Sequence, residues 1–428
     1  MGRFSFTTAG ESHGKGLVTI VEGMVAGLRL EEEYINKELG RRQRGYGRGS
    51  RMKIEDDRAE IISGVRYGLT TGSPIALFVA NRDWQNWQEV MSIEAVEEEA
   101  DPVSRPRPGH ADLAGVTKYG LEDIRPIIER ASARETAARV AAGAVARRLV
   151  EEFGIAIHSH TVAVGQAGYK SFPARHSQPR SNRGEESGTA QEETGGGSTI
   201  DWRQVEASPM RCADAGLEAA MMAAIDDARE KGDTLGGVIE VIAAGIPIGL
   251  GSHVSWDRRL DGRIARSIMS INAVKGVEIG AGFALAALKG SQAHDAIEPS
   301  SRAAGRHTSS SSTGTSATGH SLPWRRVTNR AGGIEGGISN GESIIVRAAV
   351  KPIATQSSPL PSVDLGSGEA AEAHYERSDV CVVPAAGVIA EAMLATVLAD
   401  ACLEKFGGDN LRETLAHYHN YLSAIRAG

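Results

Sequence analysis

SARETAARVAAGAVARRLVEEFGIAIHSHTVAVG, residues 132–165, reads as one long helix followed by a strand. Ser132 and Glu135 stand three apart, a capping-box pattern, and Gly154 supplies the stop, so the helix is expected from about Ala133 to Phe153. The IAIHSHTVAVG behind it is strand-like. Working outward, GLVTIVEGMVAGLRL (16–30) reads as strand, turn and strand, with EEEYINKELGRR after it as a short helix, and residues 60–80 read as strands broken by turns. A second helix is expected over about Pro209–Lys231, stopped by Gly232, and GGVIEVIAAGIPIG then reads as a strand. Strand-like ESIIVRAAVKPI leads into a helix near 384–406, stopped by Gly407, and a last amphipathic helix covers about 410–426. Strands and helices alternate in clusters without a short-period repeat. Two polar segments, about 174–200 and 298–322, read as surface insertions with no packing periodicity. Element density is similar on their two sides, so residues 1–428 are expected to form one domain.

The chain has 428 residues, 41% of them hydrophobic, which is ample for a packed core. Aromatics are only 5%, too few for the stacking platforms that hold single-stranded nucleic acid. The formal net charge of -7 makes a general polyanion binder improbable, so any anion site has to be a local basic pocket. Cys212, Cys381 and Cys402 lie far apart with no CxxC pair, which indicates neither a disulfide framework nor a zinc site. MGRFSFTTAGESHG has no apolar signal-peptide core, and no uninterrupted apolar run of about 20 residues is seen. No membrane span is expected, and a cytoplasmic location is.

Such a basic pocket has clear candidates. RRQRGYGRGSRMK (41–53) holds Arg41, Arg42, Arg44, Arg48, Arg51 and Lys53 with no acid among them, and Gly45, Gly47 and Gly49 let the backbone fold tightly. Cations this dense repel one another, an anion relieves the repulsion, and guanidinium forks match phosphate or carboxylate. A solvated basic loop or a nucleic-acid patch gives the same pattern. SRPRPGHAD (104–112) presents Arg105, Arg107 and His110 from a proline-stiffened loop. A histidine beside arginines is expected to favour its neutral form and can act on a phosphate oxygen as a general acid once a dianion is bound. Arg130-Ala131-Ser132 and Arg134 open the strong helix, where free N–H groups and the dipole favour an anion.

GESHG (10–14) superficially matches a nucleophile elbow, but Ser12 has no preceding stretch to supply the earlier strands of a hydrolase sheet, so that reading is rejected. Glycine-dense GGIEGGISNG (332–341) is neither GxGxxG nor a P-loop. Arg377-Ser-Asp379 precedes the apolar helix at 384–406. His158 and His160 share a strand face without an evident third metal ligand, and a solvated face is the expectation for them, as it is for His417 and His419.

Taken together, GESHG with LVTIVEG, RPGHAD through RASARETAARVAAGA, and RSDVCVVPAAGVIAEAML resemble the chorismate synthases; NAVKGVEIG (272–280), GGISNG and KPIAT (351–355) add to the likeness. The resemblance implies an α+β sandwich of helices and sheets with internal duplication, usually a homotetramer. It implies a lyase that converts 5-enolpyruvylshikimate 3-phosphate to chorismate by 1,4-anti elimination of phosphate, with reduced FMN required and no net redox change. By motif position, His13 would protonate or hold the reduced flavin, His110 would assist the departing phosphate, and Asp379 would help at the flavin N5 region. Ser12, Arg42, Arg48, Arg51, Arg107 and Arg134 would bind substrate. Arg130, Ala131, Ser132, Asn272, Ala273, Gly336, Lys351, Pro352, Ile353, Ala354, Thr355 and Arg377 would contact the flavin. Some members of the family reduce their own flavin with NADPH. This chain shows no dinucleotide fingerprint, so an external flavin reductant is expected, with NAD(P)H-dependent flavin reduction as the alternative activity.

Overall fold

The computed structural model describes residues 3–49, 54–97, 100–168, 192–193, 199–299, 323–376 and 378–427. Arg51, Arg377 and most of the two polar segments lie outside the described residues.

Two four-stranded antiparallel sheets enclose two long helices. The first sheet is built from β1 (Ser5–Ala9), β2 (Gly16–Glu22), β3 (Ala59–Ser63) and β4 (Ile75–Ala80), in the order β1-β2-β4-β3. The second is built from β5 (Ala156–Val164), β6 (Gly237–Ala244), β7 (Val274–Ile279) and β8 (Ile344–Val350), in the order β5-β6-β8-β7. The two sheets therefore have the same strand order. Their edge strands also carry the same kind of irregularity, between Ile61 and Ser63 in β3 and between Val274 and Gly276 in β7.

The helices repeat as well. α1 (Glu32–Gln43) lies in sequence between β2 and β3, as α7 (Leu260–Met269) lies between β6 and β7. Each half then closes with a long helix, α4 (Thr136–Glu152) and α8 (Val383–Phe406). α4 packs on the first sheet, α8 on the second, and the two helices pack on each other. A helix with neighbours on both faces cannot be amphipathic in the usual one-sided way. Accordingly α4 is rich in Ala and Val, and α8 is buried from Val383 through Ala399. Their close approach depends on Gly143, where a β-carbon would lie 2.4 Å from Ala392 Cβ. α8 is long and apolar enough to cross a membrane, but it is a core helix, 89% buried over its most apolar window. One apolar cluster runs through both halves, from Phe4 to Leu422.

α2 (Asp112–Tyr119) and α3 (Arg125–Ala131) precede α4 in the first half, α5 (Trp202–Ala207) and α6 (Ala215–Glu230) lie between β5 and β6 in the second, and α9 (Leu411–Ala427) follows α8. Several elements differ from their sequence-based expectation. Ser132 Oγ accepts from the Arg134 N–H at 3.3 Å and caps a 3-10 turn, Ala133–Glu135, so α4 begins only at Thr136. Glu135 does not close a capping box, because its carboxylate is taken by Arg139 and the Thr8 hydroxyl. α6 starts at Ala215, capped by Asp214, because residues 209–214 form a turn with Arg211 at φ 52°. Residues 23–30 make no second strand and are held by isolated bridges at Ala26 and Arg29, with bonds to Gly68, Thr70, Asp409 and Leu411. His158 and His160 are not solvated. His160 is buried against Glu240 at 3.1 Å and His158 stacks on Trp202, where burial pushes its pKa down to about 4.

Candidate active site

α1 ends in two adjacent arginines whose side chains go to different places. Arg42 is 3% exposed; its guanidinium donates to Thr136 Oγ1 at 2.9 Å, Asp57 Oδ2 at 3.0 Å and the Ala133 carbonyl at 3.0 Å. Arg134 donates to Asn81 Oδ1 at 2.9 Å and to the other oxygen of the same Asp57, with Glu55 3.6 Å away. Two guanidiniums thus share Asp57. Burial, opposed by Asp57 but reinforced by the Arg48 and Arg134 charges, pushes the Arg42 pKa down to about 10. It remains charged at neutral pH, in a pocket where further negative charge is favoured.

Arg48 pairs with Asp379 at 3.0 Å, and the Gly49 N–H donates to the same carboxylate at 2.5 Å. The loop folds this tightly because Gly47 sits at φ 87° against the start of α8; a β-carbon there would lie 3.0 Å from Cys381 Cβ, and its carbonyl accepts from Val380 N–H at 2.8 Å. Arg44 is exposed. Arg41 turns the other way, into a buried cluster with Glu391, Glu38 and Glu206 at 2.7, 2.6 and 2.5 Å.

His13 is 8% exposed and stacks on Trp87 with ring centroids 3.9 Å apart. Its backbone N–H donates to Glu129 Oε2 at 2.6 Å and its Nδ1 lies 2.8 Å from Glu129 Oε1. An ionised carboxylate only accepts, so Nδ1 carries the proton and Nε2 is left for a ligand. Ser12 precedes it, with the Ser132 hydroxyl 3.1 Å from its own.

His110 forms a second dyad. Its Nδ1 makes a short hydrogen bond to Asp112 Oδ1, and Arg107 donates to the same aspartate through Nε at 2.8 Å and Nη2 at 3.1 Å. Burial works against charge on Asp112, but these hydrogen bonds and the Arg107 charge hold its carboxyl well below the usual carboxylate range. The expected arginine neighbour is present, with Arg107 Nη2 3.0 Å from His110 Nδ1, but an unforeseen carboxylate joins it. Arg105 is exposed, and Asp112 stands between His110 and Arg107 as their common anion. Arg107 also donates to Thr355 Oγ1 at 3.1 Å, which docks the 104–112 loop on residues 351–355.

The remaining positions form a continuous rim. The Ala131 carbonyl accepts from Asn272 Nδ2 at 2.9 Å, and Ala273, in the left-handed region at φ 69°, accepts from Lys351 N–H at 2.8 Å. Asn272 Oδ1 is buried without a hydrogen-bond partner among the described residues. Burial and the Lys275 charge lower the Lys351 pKa. The Ile353 carbonyl accepts from Thr234, the Thr355 carbonyl from Ser378 at 2.8 Å, next to Asp379, and Pro352 and Ala354 lie between. Arg130 donates to the Thr8 carbonyl at 3.1 Å. Contacts therefore run from Asp379 through Thr355, Lys351, Ala273, Asn272, Ala131 and Ser132 to Ser12 and His13. Gly336 is not brought to this rim within the chain. It turns the short hairpin of Ile334–Glu335 and Ile338–Ser339, whose Gly337 carbonyl binds the first residue of α7, whereas Asn272 follows the last. Ten helical residues, about 15 Å, separate them.

Sequence reasoning missed Asp57, Glu129, Asp112 and Trp87. Asp112 was signalled by its place two residues after His110. The others reach the site through long-range packing. Among the described residues no cluster of three or more potential metal ligands exists.

Four arginines, each held by a carboxylate, converge with two histidine–carboxylate dyads on a duplicated α+β sandwich, an arrangement of the kind that enzymes acting on small anions use. A family model described as chorismate synthase matches residues 4–403. The chorismate synthase of Moorella thermoacetica is 53% identical over 427 residues, covering 98% of this chain and 99% of that one. That of Streptomyces avermitilis is 48% identical, covering 99% of each. A crystal structure of chorismate synthase matches with a TM-score of 0.72 at 41% identity over 99% of both chains. The chain belongs to the chorismate synthase family, lyases of the last step of the shikimate pathway.

Proposed function

We propose that this chain eliminates phosphate from 5-enolpyruvylshikimate 3-phosphate in a 1,4-anti sense to give chorismate, with reduced FMN required and no net redox change. The observation that carries this is the convergence of Arg42, Arg48, Arg107 and Arg134 with the His13 and His110 dyads around one rim. A substrate with one phosphate and two carboxylates offers these guanidiniums bidentate oxygen partners in addition to the carboxylates that already hold them. His110, fixed through Nδ1 by Asp112, presents Nε2 as the general acid toward the leaving phosphate. His13, fixed through Nδ1 by Glu129, holds or delivers a proton at Nε2, and Trp87 shields its ring from water. Asp379, oriented by Arg48 and the Gly49 N–H, would help the flavin N5 region accept the ring proton. Arg51 and Arg377 are assigned to the same pocket on their sequence positions.

The rim fits a flavin mononucleotide: Asn272 offers an unpartnered buried amide oxygen, Ala273 a left-handed backbone turn, and Lys351 a cation for a phosphate. Arg130, Ala131, Ser132, Asn272, Ala273 and residues 351–355 would hold it. Bound reduced FMN would supply an electron-rich ring that assists carbon–oxygen cleavage. We assign its reduction to an external reductant, the chain to one domain over 1–428 in the cytoplasm, and the assembly to a homotetramer, in keeping with the exposed Trp256 and Phe283. The continuous apolar cluster through both halves supports the single domain.

The test is phosphate release from 5-enolpyruvylshikimate 3-phosphate with chemically reduced FMN under anaerobic conditions. Release is expected, and its absence sinks the proposal. Rapid NADPH oxidation with FMN by the pure protein would instead establish a built-in flavin reductase.

A further inference from the structure

The two histidine dyads are joined by a bridge that the elimination itself does not use. Glu129, which holds His13, also accepts from Arg125 Nη1 at 3.4 Å. The same Arg125 nitrogen donates to Glu376 Oε1 at 2.5 Å, and its guanidinium lies 5.2 Å from the Trp87 ring that stacks on His13. On the other side, Glu376 lies two residues after His374, whose N–H is bound to Arg105, two residues before the Arg107 that shares Asp112 with His110. The segment carrying Glu376 is docked on the His110 loop: the Arg105 carbonyl accepts from His374 N–H at 3.1 Å, and the Pro106 carbonyl from Ser362 Oγ at 2.5 Å. The order is His13, Glu129, Arg125, Glu376, Arg107, Asp112, His110, with negative and positive charges alternating between the histidines.

We propose that Glu376 is a positioning residue that couples the two dyads electrostatically, so that His13 and His110 sense one another's protonation. The inference rests on the functional reading above for its purpose, but not for its geometry. Burial opposes the Glu376 charge, yet hydrogen bonds from His374 and Arg125 and the charges of Arg125 and Arg107 hold its pKa at about 2, so the bridge is anionic at neutral pH. Arg125 is balanced between Glu129 and Glu376, and the Arg107 charge acts on Glu376 as well as on Asp112. Neutralising Glu376 leaves positive charge in excess beside both dyads, and like charge disfavours an imidazolium. The groups facing His13 are Glu129, Arg125 and Trp87; those facing His110 are Asp112 and Arg107, with Lys351 near Gly109; His374 faces Glu376.

The experiment is a histidine-resolved NMR titration of the full chain without substrate or flavin, comparing wild type, Glu376→Gln, Glu376→Asp and Arg125→Gln. In Glu376→Gln both His13 and His110 are expected to titrate lower by about half a unit or more. Glu376→Asp should restore both. Arg125→Gln should raise His13, because Glu129 then loses its cation. In turnover, Glu376→Gln should shift the alkaline limb of the kcat profile to lower pH while KM for the substrate changes less than about twofold. Movement of only one histidine, or of neither, overturns the coupling even if phosphate release is normal. Conversely, absent phosphate release with both histidines moving overturns the functional reading and leaves the coupling intact. Should Glu376→Gln fail to fold, the sign of the Arg125→Gln shift decides alone: no rise for His13 overturns the bridge.

Discussion

Arg41 and Arg42 are neighbours in sequence, both buried, and their guanidiniums are driven in opposite directions. Burial opposes charge on each. At Arg41 the Glu391 and Glu38 carboxylates outweigh that and raise its pKa; at Arg42 a half share of Asp57 does not, and Arg48 and Arg134 lower it to about 10. The Arg41 region is closed, its three cations Arg41, Arg147 and Arg211 matched by Glu38, Glu206 and Glu391. The Arg42 region also matches its cations, Arg42 and Arg134 with Asp57 and Glu55, but less tightly, with Glu55 3.6 Å from Arg134. Arg42, whose cation is the less favoured of the two, is the one that a bound anion would stabilise. Both surroundings can come from one turn of helix, because adjacent residues on a helix point about 100° apart.

The comparison breaks most directly at Glu391, which accepts from three arginines and Ser159 in the middle of α8. Glu391→Ala strands those cations and should destabilise the fold by about 3–5 kcal/mol, read by urea unfolding, with little change in turnover of the folded fraction. A loss below about 1 kcal/mol would mean that the network is not structural.

Arg134→Ala should do the opposite. Removing a charged contact to a bound anion costs about 2–3 kcal/mol, so kcat/KM for phosphate release should fall about 30- to 150-fold, while the unfolding midpoint moves little. A drop of less than about threefold would take Arg134 out of the site.

Inorganic phosphate offers a smaller and sharper contrast. At about ten times its Kd it should stabilise the wild-type chain by about 1.4 kcal/mol in a thermal scan, through the Arg42 region, and this gain should disappear in Arg134→Ala. Equal stabilisation of both proteins would place the anion elsewhere.

The smallest effect is in acid. The arginines hold the Glu391 pKa well below the usual 4.5, so the unfolded chain binds the proton first as pH falls. Its stabilising contribution is complete above about pH 4.5 and is lost as pH drops toward the lower folded value. Glu391→Gln should therefore show a shallower loss of stability below pH 4.5 than wild type, in unfolding curves taken at successive pH values.

Much of this was readable along the chain. The helix at 136–152, its stop at Gly154, the long apolar helix near 384–406 and the basic loop at 41–53 all follow from local pattern, because capping, periodicity and like-charge crowding act over a few residues. The motifs around Ser12, His110 and Asp379 carried the family. What the sequence could not assign was which arginine is spent on structure. Glu38 lies one helical turn before Arg41 and was locally readable, but Asp57, Glu206 and Glu391 come within about 3 Å of Arg42 and Arg41 only through tertiary packing. The dyads divide in the same way: Asp112 lies two residues from its histidine and was in plain view, whereas Glu129 is 116 residues from His13 and became its partner only when α3 docked beside β1 and β2. Residue type and spacing determine that anions will be bound, and long-range pairing of charge in a low-dielectric interior decides by which side chains.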